Sequence, residues 1–514
     1  MTGQPNILFV MADQMSALAT PVYGHPIVHA PNMSALAEGG VVFRNAYCNS
    51  PLCGPSRLSM MSGRLPSAIG AYDNAVEFPA SIPTFAHYLR LLGYRTCLSG
   101  KMHFAGPDQL HGYEERLTTD IYPSDFSWTP NWSEPGATLG FQADFTKVVE
   151  TAPCERSLQI DYDDDVEFQA IRWIYDRARD ESKQPFMLTV SFTSPHDPYD
   201  AQPEFWNLYE EDRIDLPSVG RQPDNELDPH TRRILSHYSI DKVELSASQI
   251  RRARHGYYSS ISYIDAKLGA LRRALERSGQ LDDTIIVFAS DHGDMMGERG
   301  LWYKKCFFEW ALRVPLIMSG PGLSRHDVHA PVSLLDLLPT FVEIAGGTDA
   351  DILQKDGESL WSAASGNQMM LRTVAAEYLA EGVLEPVFML RDARYKCLFS
   401  EGDPAVLFNL LHDPAELTNL AHSGDFSAAT LATFEAEAAG RWHADAIKAA
   451  VIADQNNRRL VRDAYTHGRR PAWDYQPITD ASQQWVRAGA ADVEAKAHLP
   501  VRSAGSGRIR LKAS

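Results

Sequence analysis

Four short apolar runs, each delivering an ionisable group at its C-terminal end, constrain this chain more than any other feature. Residues 6–12 end at Asp13, and residues 96–99 precede Lys101 and His103. Residues 186–192 lead to Ser194, Pro195 and His196, and residues 284–290 to Asp291 and His292. Short continuous apolar runs of this kind match strands buried on both faces. Between them, residues 83–92, 165–179, 250–277 and 333–344 carry apolar positions three or four apart, the spacing of amphipathic helices. Alternating strands and helices predict an α/β sheet with helices on both faces. Ligands of such sheets sit beyond the carboxyl ends of the strands, where these ionisable residues fall.

The pattern changes near residue 370. Residues 373–378, 387–391 and 395–400 are strand-like, 407–420 is turn-rich, and a helix is expected over 428–452. The expected organisation is a catalytic α/β domain over residues 1–370, a smaller α+β subdomain over 371–455, and an extended tail over 456–514. A length of 514 residues accommodates this division.

A formal charge of −18 would repel phosphate backbones and anionic membranes, so neither nucleic acid nor a membrane is an expected partner. The apolar run at residues 7–12 is too short for a signal core or a membrane span, and six cysteines show no CxxC spacing. A reducing cytoplasm is the expected setting.

The most specific signal is Cys53, Gly54, Pro55, Ser56 and Arg57, followed by Ser62, Gly63 and Arg64. It resembles the signature of the sulfatase family, CxPSR with a distal [ST]GR. Met61 stands where leucine is usual, and its thioether fills the same apolar space. The resemblance implies an alkaline-phosphatase-like fold and conversion of Cys53 to formylglycine by a separate maturation enzyme. It also implies one divalent metal held by Asp13, Cys53, Asp291 and His292. Calcium is the expected ion, with manganese or magnesium as alternatives, because Asp13 is followed by Gln14 and Asp291 by His292 where many sulfatases have other pairs.

By the same resemblance, Arg57, Lys101, His103, His196 and Lys304 surround the sulfate. Three cations balance the charge of the transferring group, and two histidines move protons near neutral pH. Lys304 and Lys305 are adjacent, so one of them faces the site, and Lys304 is the choice by its spacing after Asp291. Taken singly, each histidine or lysine would be an ordinary surface group; the ordered set of motifs argues otherwise.

Within the family, residues 291–304 and the stretch Trp473 to Gln476 look most like the choline sulfatases, which hydrolyse choline O-sulfate. Trp128 and Glu381 resemble the aromatic wall and carboxylate that hold a trimethylammonium group. Residues 141–153 contain no His or Asn, although the choline pocket is expected to have them there. Another small sulfate ester, a phosphonate or phosphate monoester, or a quaternary ammonium ion merely bound by an unmodified Cys53 are the competing readings. Trp473, Tyr475 and Trp485 in the tail need a surface to cover; by the same resemblance the tail is an arm exchanged within a homo-oligomer, a dimer or tetramer, and the alternative is a tail folded back on its own subunit.

Overall fold

The computed structural model describes residues 3–134, 146–180, 182–367, 369, 371–421 and 424–478. Its large sheet contains β1 (Asn6–Ala12), β2 (Gly40–Tyr47), β3 (Arg95–Gly100), β4 (Glu115–Arg116), β5 (Phe186–Ser191), β6 (Thr284–Ser290), β7 (Arg313–Val314), β8 (Leu316–Ser319) and β9 (His326–Ser333). The strand order is β4-β3-β5-β1-β6-β8-β2-β7, with β9 also paired to β2. From β4 to β6 every pairing is parallel, whereas β8 runs antiparallel to β6 and β2. The sheet is therefore mixed and mostly parallel, flanked by helices.

Register explains why the ionisable residues meet. In β1, Ala12 lies opposite Ser290 of β6, so Asp13 and Asp291 emerge side by side. Met11 lies opposite Ser191 of β5, which in turn lies opposite Gly100 of β3. Asp13, Lys101 and Asp291 thus leave one edge of the sheet together. The strands that place them are almost wholly buried, as continuous apolar runs require.

The expected helix at 165–179 begins earlier, at Leu158, and runs to Arg179. Ser157 caps it by accepting from the Ile160 N–H, and Asp161 in the first turn suits the positive end of the helix. The long Ala247–Ser278 helix has a Ser246/Gln249 capping box and ends at Gly279, whose φ of 73° admits the left-handed turn. Ser333, expected to open a helix, is the last residue of β9; its side chain caps a short turn before the Leu337–Ile344 helix.

A second, antiparallel sheet contains β10 (Val374–Tyr378), β11 (Val387–Arg391), β12 (Tyr395–Ser400) and β13 (Val406–Asn409) in that order. β13 falls partly in the segment expected to consist of turns, because a four-residue run between Pro404 and Asp413 is too short to register as a strand. The single helix expected over 428–452 is two, Asp425–Arg441 and Ala444–Ala464. Trp442 separates them: it stacks on Phe388 at 4.4 Å and donates to Glu377 Oε1 at 2.7 Å. A division at 455/456 would therefore cut through a helix whose Gln455 and Arg458 are both buried.

Beyond that helix, the described part of the expected arm packs on its own chain. Trp473 lies edge-on to Phe126, ring centroids 5.3 Å apart, and Arg116 lies 5.4 Å from the Tyr475 ring centre. Trp485 and residues 479–514 lie outside the described residues. Among those described, no helix is long and apolar enough to cross a membrane.

Candidate active site

Cys53 is the first residue of the Cys53–Ser62 helix, every residue of which is buried. The helix begins against the ends of β1 and β6, so Cys53 Sγ lies 3.1 Å from His292 Nε2 and 3.7 Å from Asp13 Oδ1. One ligand atom from each of Asp13, Cys53, Asp291 and His292 falls within 4.8 Å of the others, and all four residues are buried. His292 Nδ1 lies 3.0 Å from the Gly293 carbonyl. Donation of that proton leaves the Nε2 lone pair directed at the cluster, the outer support expected of a metal-binding imidazole. Two carboxylates, a neutral imidazole and side chain 53 fit a divalent cation.

Arg57 follows Cys53 by one helical turn and points to the same end of the sheet. Its Nε donates to Asp291 Oδ2 at 2.8 Å, and its two terminal nitrogens reach Asp13 Oδ2 at 3.1 Å and Ser191 Oγ at 2.8 Å. The Met102 sulfur lies 3.9 Å from the same guanidinium. Lys101 pairs with Asp13 and sits over the Tyr122 ring, 4.0 Å from its centre. Burial and the nearby Cys53 thiolate oppose ionisation of Asp13, yet Lys101 and Arg57 outweigh them and hold its pKa at about 2. Burial likewise opposes a Cys53 thiolate, but Lys101 and Lys304 bring its pKa well below the ordinary thiol value.

Lys304 Nζ pairs with Gln14 Oε1 and lies 2.7 Å from His196 Nε2. His196 Nδ1 lies 2.8 Å from the Asp197 carbonyl. Asp163, fully buried, accepts from the backbone N–H groups of Thr193 and Ser194 at 2.7 and 2.9 Å, clamping the loop that carries His196. Burial pushes the Asp163 carboxyl up to about 6 despite those hydrogen bonds. Gln14 does not join the cation cluster, because its side-chain amide bridges Lys304 and Asp294.

His103 has a φ of 63°, held by Asp120 Oδ2, which accepts from the His103 N–H at 2.8 Å. Its Nε2 lies 2.9 Å from the Asn74 carbonyl, while Nδ1 is buried without a hydrogen-bond partner among the described residues. That pattern makes Nε2 the donor and Nδ1 the available base. Trp128 stands at one side, its ring centre 6.0 Å from His103 and 5.1 Å from Tyr122.

The adjacent lysines diverge: with Lys305 at a φ of 77°, its ammonium turns to Glu381 Oε1 and the Tyr238 ring. No described contact joins Glu381 to the cysteine cluster. Asn74, Asp120, Tyr122 and Asp163, none of them a candidate from the sequence, complete the surroundings. Asn74, Asp120 and Tyr122 lie in loops and Asp163 in the Leu158–Arg179 helix, and none of them belongs to a motif.

Residues 5–347 match the family model described as Sulfatase, and 449–497 match Choline sulfatase enzyme C terminal. Residues 297–435 match N-sulphoglucosamine sulphohydrolase, C-terminal. The chain belongs to the sulfatase family and is a sulfuric ester hydrolase. Among its relatives, it is 45% identical over 493 residues to the choline-sulfatase of Rhizobium meliloti (strain 1021), covering 95% of this chain and 96% of that protein. In fold it is similar to the phosphonate monoester hydrolase of Agrobacterium radiobacter, with a TM-score of 0.68 at 23% identity, covering 85% of this chain and 95% of that one. The phosphonate monoester hydrolase SpPMH from Silicibacter pomeroyi gives a TM-score of 0.69 at 23% identity, with the same coverage of 85% and 95%.

Proposed function

We propose that the chain hydrolyses choline O-sulfate to choline and sulfate at the Cys53 cluster. The observation that carries the reaction is the meeting of Asp13, Cys53, Asp291 and His292 within 4.8 Å at the end of the sheet. The substrate assignment is supported by the similarity to the Rhizobium choline-sulfatase.

We assign one divalent cation, calcium, to Asp13, Asp291, His292 and side chain 53, where it would supply electrostatic stabilisation of negative charge. As formylglycine, residue 53 would supply two hydroxyls, one for attack on sulfur and one whose deprotonation releases the bound sulfate. One of those oxygens would take the place of Cys53 Sγ on the same Cβ, and the second would be a new substituent there. Arg57 orients Asp13 and Asp291, and Lys101 and Lys304 offset charge on the transferring group.

His196 and Lys304 act as a pair on the leaving group. In the resting structure His196 Nε2 accepts from the Lys304 ammonium at 2.7 Å; in the substrate complex His196, protonated at Nε2, gives that proton to the departing alcohol oxygen and is left as the neutral Nδ1–H imidazole, while Lys304 keeps its own protons and offsets the charge on the oxygen. On the other side, His103 Nδ1 takes a proton from the second hydroxyl of side chain 53, while its Nε2–H stays on Asn74.

The trimethylammonium group would lie against the face of Trp128, with the Glu381 carboxylate as its counterion. Lys305 takes Glu381 Oε1, and we assign Oε2 to the substrate cation. Residues 135–145, which include part of the expected pocket, lie outside the described residues. The same reading carries a maturation enzyme for Cys53, a cytoplasmic location and a homo-oligomer.

The test is initial-rate release of sulfate from choline O-sulfate and 4-nitrophenyl sulfate, with 4-nitrophenyl phosphate and a phosphonate monoester as competitors. A kcat/KM highest for choline O-sulfate is expected. A higher value for either phosphorus ester would overturn the assignment.

A further inference from the structure

The Ala444–Ala464 helix contributes no group to the cysteine cluster, yet it is bolted to the segments that surround it. Arg458 is buried and forks onto Asp73, with its two terminal nitrogens 2.8 and 2.7 Å from the two carboxylate oxygens. Asp73 is fully buried as well. The next residue, Asn74, accepts from the Gly54 N–H through its side chain at 2.9 Å and faces His103 Nε2 through its carbonyl at 2.9 Å. One planar fork on the C-terminal helix therefore fixes the segment that orients both the start of the Cys53 helix and the His103 ring.

A second set of bonds runs to the leaving-group side. Arg458 also donates to Thr129 Oγ1 at 3.0 Å, and Thr129 closes the turn that presents Trp128. One turn earlier on the same helix face, Gln455 Oε1 accepts from the Trp132 N–H at 2.9 Å. The Trp132 indole N–H in turn donates to the Ala380 carbonyl at 2.9 Å, next to Glu381. The helix thus fastens the aromatic wall and the carboxylate wall to each other.

We propose that Gln455 and Arg458 are positioning residues that hold the His103 loop and the walls around the leaving group in register with Cys53. Arg458 acts on the reacting centre through Asp73 and Asn74, and Gln455 acts on the leaving-group pocket through Trp132. The pocket part rests on the assignment of Trp128 and Glu381 to the substrate cation.

The experiment measures kcat and KM for 4-nitrophenyl sulfate and choline O-sulfate, per converted residue 53, with melting temperature measured in parallel. Arg458→Met should lower kcat on 4-nitrophenyl sulfate by about tenfold or more, since displacement of about an ångström can cost a hundredfold. The double variant Asp73→Asn/Arg458→Met removes both buried charges and should show the same loss if the single variant does not fold. Gln455→Ala should raise KM for choline O-sulfate about tenfold relative to that for 4-nitrophenyl sulfate.

A lower melting temperature with kcat and both KM values unchanged would reduce these residues to structural supports and overturn the proposal. An equal change in both KM values for Gln455→Ala would overturn its pocket role. Wild-type enzyme that hydrolyses 4-nitrophenyl sulfate but not choline O-sulfate would instead sink the substrate assignment, leaving the kcat arm to decide on Arg458.

Discussion

Removal of the His196 imidazole should separate substrates by how much help their leaving groups need. An alkyl alkoxide such as that of choline is a far stronger base than a nitrophenolate, so protonation in the transition state matters mainly for the former. His196→Ala should therefore lower kcat/KM for choline O-sulfate by about 10² to 10⁴-fold, the usual range for a positioned acid, and that for 4-nitrophenyl sulfate by about tenfold or less. The 2.7 Å contact of His196 Nε2 with Lys304 Nζ adds a second expectation. Groups in direct contact that act as a unit give non-additive losses, so His196→Ala/Lys304→Met should be little worse on choline O-sulfate than the more damaging single variant. Initial rates with both esters, for the two single variants and the double, supply the cycle. Equal losses on the two esters, or fully multiplicative losses in the double variant, would refute the paired-acid reasoning.

Arg57→Ala leaves Asp13 and Asp291 without their shared buried partner and should cost about 3–5 kcal/mol in urea unfolding of the metal-free protein; a change below about 1 kcal/mol would show that Arg57 does not hold the site together. Asp163, whose pKa rises on folding from 3.8 to about 6, takes up its proton more readily in the native state, so its contribution to stability falls as pH rises through that window. The stability of wild type minus that of Asp163→Asn should decrease by about 2 kcal/mol from pH 4 to pH 7, and a flat or rising difference would contradict the assignment. Chelation should abolish sulfate release and lower the melting temperature, with calcium restoring both; full activity in protein shown by elemental analysis to hold no divalent metal would remove the cation from the account.

Much of the site was legible because strand ends advertise themselves. Asp13 and Asp291 follow buried apolar runs, and the parallel register of β1 with β6 brings the two together as the pattern implied. The turn-separated runs of β11 and β12 were equally plain, since each apolar run has a strand's length. Other features depend on contacts between distant residues. The Leu158–Arg179 helix starts ahead of the apolar pattern at 165–179, where the Ser157 side chain caps it. The helix break at Trp442 follows from the ring's need for a partner on β11.

The pairing of Lys305 with Glu381 joins residues whose spacing carries no periodic signal, and it decides which lysine faces His196. Arg458 meets Asp73 across 385 residues of sequence, so a boundary placed just before it on composition alone could not register the bond. The positive φ of His103 is likewise set by Asp120, a carboxylate outside any motif.

The central claim is that side chain 53, once oxidised, performs hydrolysis of choline O-sulfate. It is tested most directly by measuring choline release in preparations that differ in the converted fraction of residue 53, quantified from the mass of its peptide. Conversion removes one sulfur and two hydrogens and adds one oxygen, so the two forms separate cleanly. The account predicts specific activity proportional to the converted fraction, falling to zero with unmodified Cys53. Activity independent of conversion, or a fully converted, metal-loaded enzyme that releases no choline, would contradict it.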